Sequence, residues 1–247
     1  MLFRAEFHVH TVLSPCADVE MIPPFIFQTA SELGINLLAI TDHNATANIE
    51  AVQKAAEGSG ITVLPGIELQ TREEVHLLAL FDHLDQAYAF QKIVDVNLPD
   101  QPNDPEHFGE QFVVDATGDF IRREERLLIN STHLELGEAV KNVHQNGGLA
   151  IPAHINRKAF GMIEVLGFIP PQVAFDAVEV SRHVDISKFL SSQRLPIRQS
   201  VIQSGDVHRL DEFMGRNYFE IEKPSLSEIT MALKHINGRK FWIGNSN

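Results

Sequence analysis

Ile35-Asn36-Leu37-Leu38-Ala39-Ile40-Thr41-Asp42-His43-Asn44 is an apolar run of strand length that stops abruptly on four polar residues. Its first six residues read as a buried strand, and Asp42 and His43 stand at its C-terminal end. Gly34, just before it, closes a helix-periodic stretch from Pro24 to Leu33. A second helix is predicted from Ala47 to about Glu57, stopped by Gly58 and Gly60. The strands Ala5 to Val9 and Ile61 to Leu64 flank this unit. The alternation is that of βα units and a mainly parallel sheet.

Working outward, the pattern predicts a strand over Val75 to Phe81 and a helix over Asp85 to Val96. Residues 99 to 110 are rich in Pro, Asp, Asn and Glu and read as a loop, with a hairpin over Gln111 to Ile121. An insertion at about 99–130 is therefore expected within one domain spanning 1–247. A helix over Leu136 to Gln145 and the strand Leu149 to Ala153 resume the pattern. Strands follow at Ala177 to Val180, Ile197 to Ile202, Tyr218 to Ile221 and Phe241 to Ile243, with a helix over Ser225 to Ile236. Core strands starting at Ala5, Ile35, Ile61, Leu149, Ala177, Ile197 and Tyr218 number seven, which predicts an α/β barrel or a strongly curled sheet.

The chain has 247 residues, 44% hydrophobic and 21% charged, enough for a substantial core. Cys16 is the only cysteine, so an intramolecular disulfide and a thiolate-rich zinc site are both excluded. No run approaches the roughly 18 apolar residues of a membrane span, and the expected location is the cytoplasm. A net charge of −13 should repel nucleic acid unless local positive charge, such as bound metal, reverses the field.

Metal-competent residues recur at strand ends: His8 and His10, His43, Glu68, His154, and Asp206 with His208. The C-terminal strand ends of an α/β barrel converge on one face, so these residues are expected to meet. His8 and His10, two apart on a strand, share a face and suit a borderline metal ion. Any one of these positions arises readily by chance; their joint placement at strand ends does not.

His8-Val9-His10-Thr11, Thr41-Asp42-His43-Asn44, Gly66-Ile67-Glu68, Ala153-His154 and Gly205-Asp206-Val207-His208 resemble, in order, the motifs of the polymerase and histidinol phosphatase (PHP) superfamily. The resemblance runs from about residue 3 to about residue 210. It implies a distorted (β/α)7 barrel holding two or three divalent ions, zinc, manganese or iron. Position by position, it implies one metal on His8, His10, Glu68 and Asp206. A second would lie on Glu68, His76 and His154, and a third on Asp18, His43 and His208. Asp18 is preferred to Glu20 because its spacing to Pro23 is kept, with Cys16 near enough to be a rival ligand. His76 is preferred to His83 because it lies within a strand.

Asp42 is expected to orient an imidazole or handle protons, Arg157 to clamp phosphate, and His183, after the strand Ala177 to Val180, to assist. The expected reaction is in-line attack by a metal-bridging hydroxide on a phosphomonoester or small nucleotide phosphoester. The expected partner is a small phosphorylated substrate, a nucleotide or short oligonucleotide, and no membrane. The alternatives are an amidohydrolase-like metal hydrolase and a non-catalytic, metal-stabilised module.

Overall fold

In the computed structural model, which describes residues 1–192 and 199–244, the strand quoted above runs over Leu37–Ile40 (β2) and is wholly buried. It pairs in parallel with β1 (Leu2–Val9) on one side and β3 (Thr62–Gln70) on the other. The helices between them are α1 (Pro23–Glu32), which starts on its prolines as the fixed φ of Pro allows, and α2 (Ile49–Ala55). Beyond β3 come β4 (His76–Leu80), α3 (Leu84–Asn97) and α4 (Pro105–Phe108). Strands β5 (Phe112–Val114) and β6 (Phe120–Arg123) form an antiparallel hairpin where one was expected. The chain continues with α5 (Leu136–Gln145), β7 (Leu149–Pro152), α6 (Met162–Leu166), β8 (Ala177–Val180), α7 (Ile186–Ser192) and β9 (Ser200–Gln203). It ends in β10 (Asn217–Glu220), α8 (Leu226–Leu233) and β11 (Lys240–Ile243). The start of the strand expected at Ile197 lies outside the described residues.

The main sheet has the order β11-β10-β1-β2-β3-β4-β7, and β8 pairs in parallel with β9. Backbone hydrogen bonds join the two: Asp176 N–H to the Ala150 carbonyl and Ile155 N–H to the Glu179 carbonyl link β7 to β8. After β9, the Val207 N–H donates to the His8 carbonyl and the Val207 carbonyl accepts from the His10 N–H, closing back onto β1. The result is a curled α/β sheet in which β1, β2, β3, β4, β7, β8 and β9 surround the centre.

Two expectations are corrected. β4 belongs in this ring and runs antiparallel to both β3 and β7, because the short link from Gln70 to His76 cannot make the crossover of a dozen or more residues that a parallel pair requires. The strand at Tyr218 (β10) lies outside the ring, antiparallel to the first half of β1.

An irregularity in β1 decides what faces the centre. Phe3, Ala5 and Phe7 join the apolar cluster that includes α8, but Val9 joins the cluster beneath α1 and α2. The alternation thus reverses at the register shift between Glu6 and Val9, and both His8 and His10 turn toward the cleft. Nearby, the buried Glu6 carboxylate accepts from the N–H groups of Gly205, Met214 and Gly215 at 2.8–2.9 Å. Burial pushes its pKa up to about 7 even against those donors. These bonds pin the loop that carries Asp206 and His208 to β1. Gly66 serves a different contact: a Cβ there would lie 2.8 Å from Thr41 Cγ2, so its absence lets β3 approach β2 closely.

Candidate metal centre

Glu68, fully buried at the C-terminal half of β3, is the hub. Its Oε1 lies 3.1 Å from His8 Nε2, 2.8 Å from His76 Nδ1 and 3.3 Å from His154 Nε2. Its Oε2 lies 3.3 Å from His10 Nε2 and 3.0 Å from His43 Nδ1. Asp206 Oδ1 completes the group at 3.3 Å from His8 Nε2 and 3.6 Å from His10 Nε2, while His208 stacks on His10 with ring centroids 4.0 Å apart. Burial alone would raise the Glu68 pKa, but His76, His8 and His43 outweigh it and hold the carboxyl well below its usual range. Conversely, burial would lower His8, and the carboxylates of Glu68, Glu179 and Asp206 raise it well above. His76 goes the other way: burial outweighs Glu68 and lowers it to about 4.

The surrounding hydrogen bonds set which ring nitrogens are free. His8 Nδ1 donates to Glu179 Oε1 at 3.0 Å, which leaves the Nε2 lone pair facing Glu68. Ser14 Oγ donates to Asp42 at 2.7 Å and accepts from His43 N–H, so its remaining lone pair takes a proton from His10 Nδ1 at 3.0 Å. The Nε2 of His10 is thereby also a bare lone pair. His208 Nδ1 donates to the Asp206 carbonyl at 3.0 Å. Buried His8 Nε2, His10 Nε2, His43 Nδ1 and Glu68 Oε2 have no hydrogen-bond partner, an arrangement that costs free energy unless a cation fills it.

The donor atoms form three overlapping groups, each within 4.8 Å: His8, His10, Glu68 and Asp206; His43, Glu68 and His76; and His10, His43 and His208. This donor set fits divalent ions that accept imidazole and carboxylate ligands. Backbone strain marks the same place, for Asn44, His154 and Asp206 have φ of 50°, 28° and 50°. Such left-handed positions cost roughly 1–3 kcal/mol each in residues other than glycine.

The chain thus brings together His8, His10, His43, Glu68, His76, His154, Asp206 and His208. It does not bring Asp18: that side chain is exposed and caps the Glu20 N–H at 3.3 Å. Cys16 stands on the cleft rim instead, where it shares the lining with His43 and His208. Burial would raise its pKa, yet those two imidazoles lower it to about 5. Asp42 touches no imidazole and does not line the cleft; it accepts from Thr11 N–H, the Thr11 hydroxyl and the Ser14 hydroxyl at 2.7–2.8 Å. Its influence reaches His10 through Ser14. Asp42→Asn is accordingly expected to weaken metal binding about 10–100-fold, the usual cost of losing such a support, read by competition with a chromophoric chelator. Unchanged affinity would contradict that role.

The cleft, about 620 Å³, is rimmed by Arg157, Arg182, His183 and Arg209. Arg157 Nη1 reaches Asp206 Oδ2 at 2.7 Å, and His183 is exposed. Ile129, at the end of the expected insertion, is a further lining residue; Asn44 ties that segment down by donating to the carbonyls of Leu128 and Asn130. Sequence reasoning missed Glu179 and Arg182. Glu179 could have been found, as the lone charge inside the apolar strand Ala177–Val180. Ser14 and Arg182 carried no such signal. No helix among the described residues is long and apolar enough to cross a membrane.

The sequence profile of the PHP domain matches residues 6–160. The chain belongs to the PHP family. In sequence this PHP chain is similar to the 5'-3' exoribonuclease Rnm of Salmonella typhimurium, 34% identical over 80 residues, covering 30% of this chain and 26% of Rnm. It also resembles the DNA polymerase III PolC-type of Staphylococcus aureus, 28% identical over 211 residues, covering 74% of this chain and 14% of the polymerase. The chain therefore spans about a quarter or less of the length of these relatives. In fold it is similar to the lesion-specific endonuclease EndoQ of Pyrococcus furiosus, with a TM-score of 0.69 and 19% identity over 98% of this chain and 58% of EndoQ. PHP domains are metal-dependent hydrolases, nucleases among them, and this chain carries groups that could hold their ions.

Proposed function

We propose that the cleft hydrolyses a phosphoester of a nucleotide or short oligonucleotide, using divalent ions held by His8, His10, His43, Glu68, His76, His154, Asp206 and His208. The observation that carries this reading is the set of buried, unpartnered ring nitrogens around Glu68, opening beneath a rim of arginines in a chain of net charge −13. Divalent ions so held supply a water of lowered pKa and screen the phosphoryl oxygens. The chain's own groups do the rest. Glu179, Ser14 and the Asp206 carbonyl orient the histidine rings, so the rings need not turn when the site fills.

Arg157 offers a planar fork to the phosphate oxygens while Asp206 holds it over the centre. Arg182 is committed to the Gly205 and Asp206 carbonyls and to Glu212, so it steadies the Asp206 loop. In this reading His183, exposed on the rim, donates a proton to the leaving oxygen. The cleft volume is that of a small-ligand site. The nucleotide class is supported by the exoribonuclease and polymerase relatives, and by the fold shared with Endonuclease Q, seen in complex with a 27-mer duplex substrate bearing an abasic lesion. No lysine lines the cleft among the described residues, which disfavours the amidohydrolase alternative with its carboxylated lysine.

Arg157→Ala should lower kcat/KM about 10–100-fold, the worth of a hydrogen bond to a charged group, with metal content unchanged. The reading itself is tested with metal-loaded protein against phosphomonoesters, 5'-phosphorylated RNA and DNA oligonucleotides and abasic duplexes. Inactivity on all of them, with one fully coordinated ion per chain, would leave the non-catalytic alternative.

A further inference from the structure

The loop between β1 and α1 places sulfur where the family resemblance led us to expect a carboxylate. Backbone bonds from Ala17 N–H to the Ser14 carbonyl and from Asp18 N–H to the His208 carbonyl shape the turn. Asp18 is thereby spent on the loop's own backbone, while the Cys16 thiol meets His43 and His208. The insertion packs behind this turn: a Cβ on Gly109 would come within 2.2 Å of the Pro15 carbonyl oxygen. Independently of the cysteine, His10, His43 and His208 aim ring nitrogens at one another within 4.8 Å. His10 Nε2 and His43 Nδ1 are more than nine-tenths buried and unpartnered.

We propose that Cys16 Sγ is a metal ligand, completing with His43 and His208 a cation position that is sulfur- and nitrogen-bound and has no carboxylate from Asp18. This deepens the reading of the cleft as a metal centre and rests on it. On binding, the Cys16 S–H proton is released to solvent and a sulfur–metal bond forms, so the site gains the negative charge that a carboxylate would otherwise bring. Thiolate with imidazole favours zinc and similar ions over magnesium, calcium or manganese. The neighbouring position, on His8, His10, Glu68 and Asp206, is of mixed nitrogen and oxygen character. The two positions should therefore differ in the ion they prefer.

Cobalt(II) substitution tests this in the whole chain, because a cobalt–thiolate bond gives a near-ultraviolet charge-transfer absorption that imidazole and carboxylate do not. The parent should show that absorption, and Cys16→Ser should lose it together with one bound ion per chain. Cys16→Asp should also lose it but keep the ion count and take up manganese more readily than the parent. Metal loading should also shield Cys16, an exposed residue, from alkylation. Cobalt bound without the absorption, or an absorption that survives in Cys16→Ser, overturns the ligand assignment alone. A parent that binds no cobalt, nickel or zinc overturns both the assignment and the metal-centre reading.

Discussion

Glu68→Gln should reduce kcat to about a thousandth of the parent's or less, and should lose bound metal. The carboxylate touches the imidazoles of His8, His10, His43, His76 and His154 from a position with no solvent exposure. An amide in its place keeps one acceptor, but its NH2 group cannot ligate a cation and instead donates to the ring lone pairs that would, and it removes the only buried negative charge common to two of the three donor groups. Metal ions contribute several kcal/mol of charge stabilisation to such reactions, and each 1.36 kcal/mol is tenfold in rate. Elemental analysis and steady-state assay of the same preparation check this. Activity within about tenfold of the parent would show that Glu68 is not the hub of the working site.

Removing the metal should lower thermal stability, by an amount that grows with pH. Ions at a hundredfold excess over Kd add about 2.7 kcal/mol, or roughly 5–10 °C in Tm for a chain of this size. Without metal, burial opposes protonation of His8 and His43 but nearby groups, Glu68 foremost for His8 and Cys16 for His43, raise their pKa values well above the ordinary range. The native state then binds more protons than the unfolded chain above about pH 6.5, so metal-free stability falls as pH rises through the folded values. Glu68 and Asp206, depressed despite burial by the histidines around them, contribute stability that is lost instead as pH falls. His76, lowered to about 4, likewise costs stability as pH falls below about 6.5, where the unfolded chain protonates it and the native state does not. Metal competes with protons for the same nitrogens. The Tm difference between loaded and chelated protein should therefore widen between about pH 6 and about pH 8. A difference that narrows over that range would show that the imidazoles are not the ligands.

Much of the candidate site was legible because metal-competent residues at strand ends leave a local mark: a polar residue where an apolar run stops. His8, His10, His43, Glu68, His154, Asp206 and His208 all carry that mark, and all meet around one cleft. His76 does not, since it opens β4 rather than ending it, and only the antiparallel turn from β3 folds it back to 2.8 Å from Glu68. Spacing put Asp18 among the ligands, whereas its side chain is exposed and accepts from the Glu20 N–H. Spacing along a loop counts residues but says nothing of which backbone bonds the loop will make, and those bonds leave Cys16 on the cleft rim and Asp18 away from it.

What the sequence by itself determined is the part governed by local periodicity and composition: the succession of strands and helices, the hairpin within the insertion, and the residue types at strand ends. The direction of β4, the exclusion of β10 from the ring, the reversal in β1 that turns His8 and His10 into the cleft, and the tautomers set by Glu179 and Ser14 were decided only by the tertiary structure. Each depends on hydrogen bonds or packing between segments far apart in the chain, and an isolated segment carries no record of the partner it will meet.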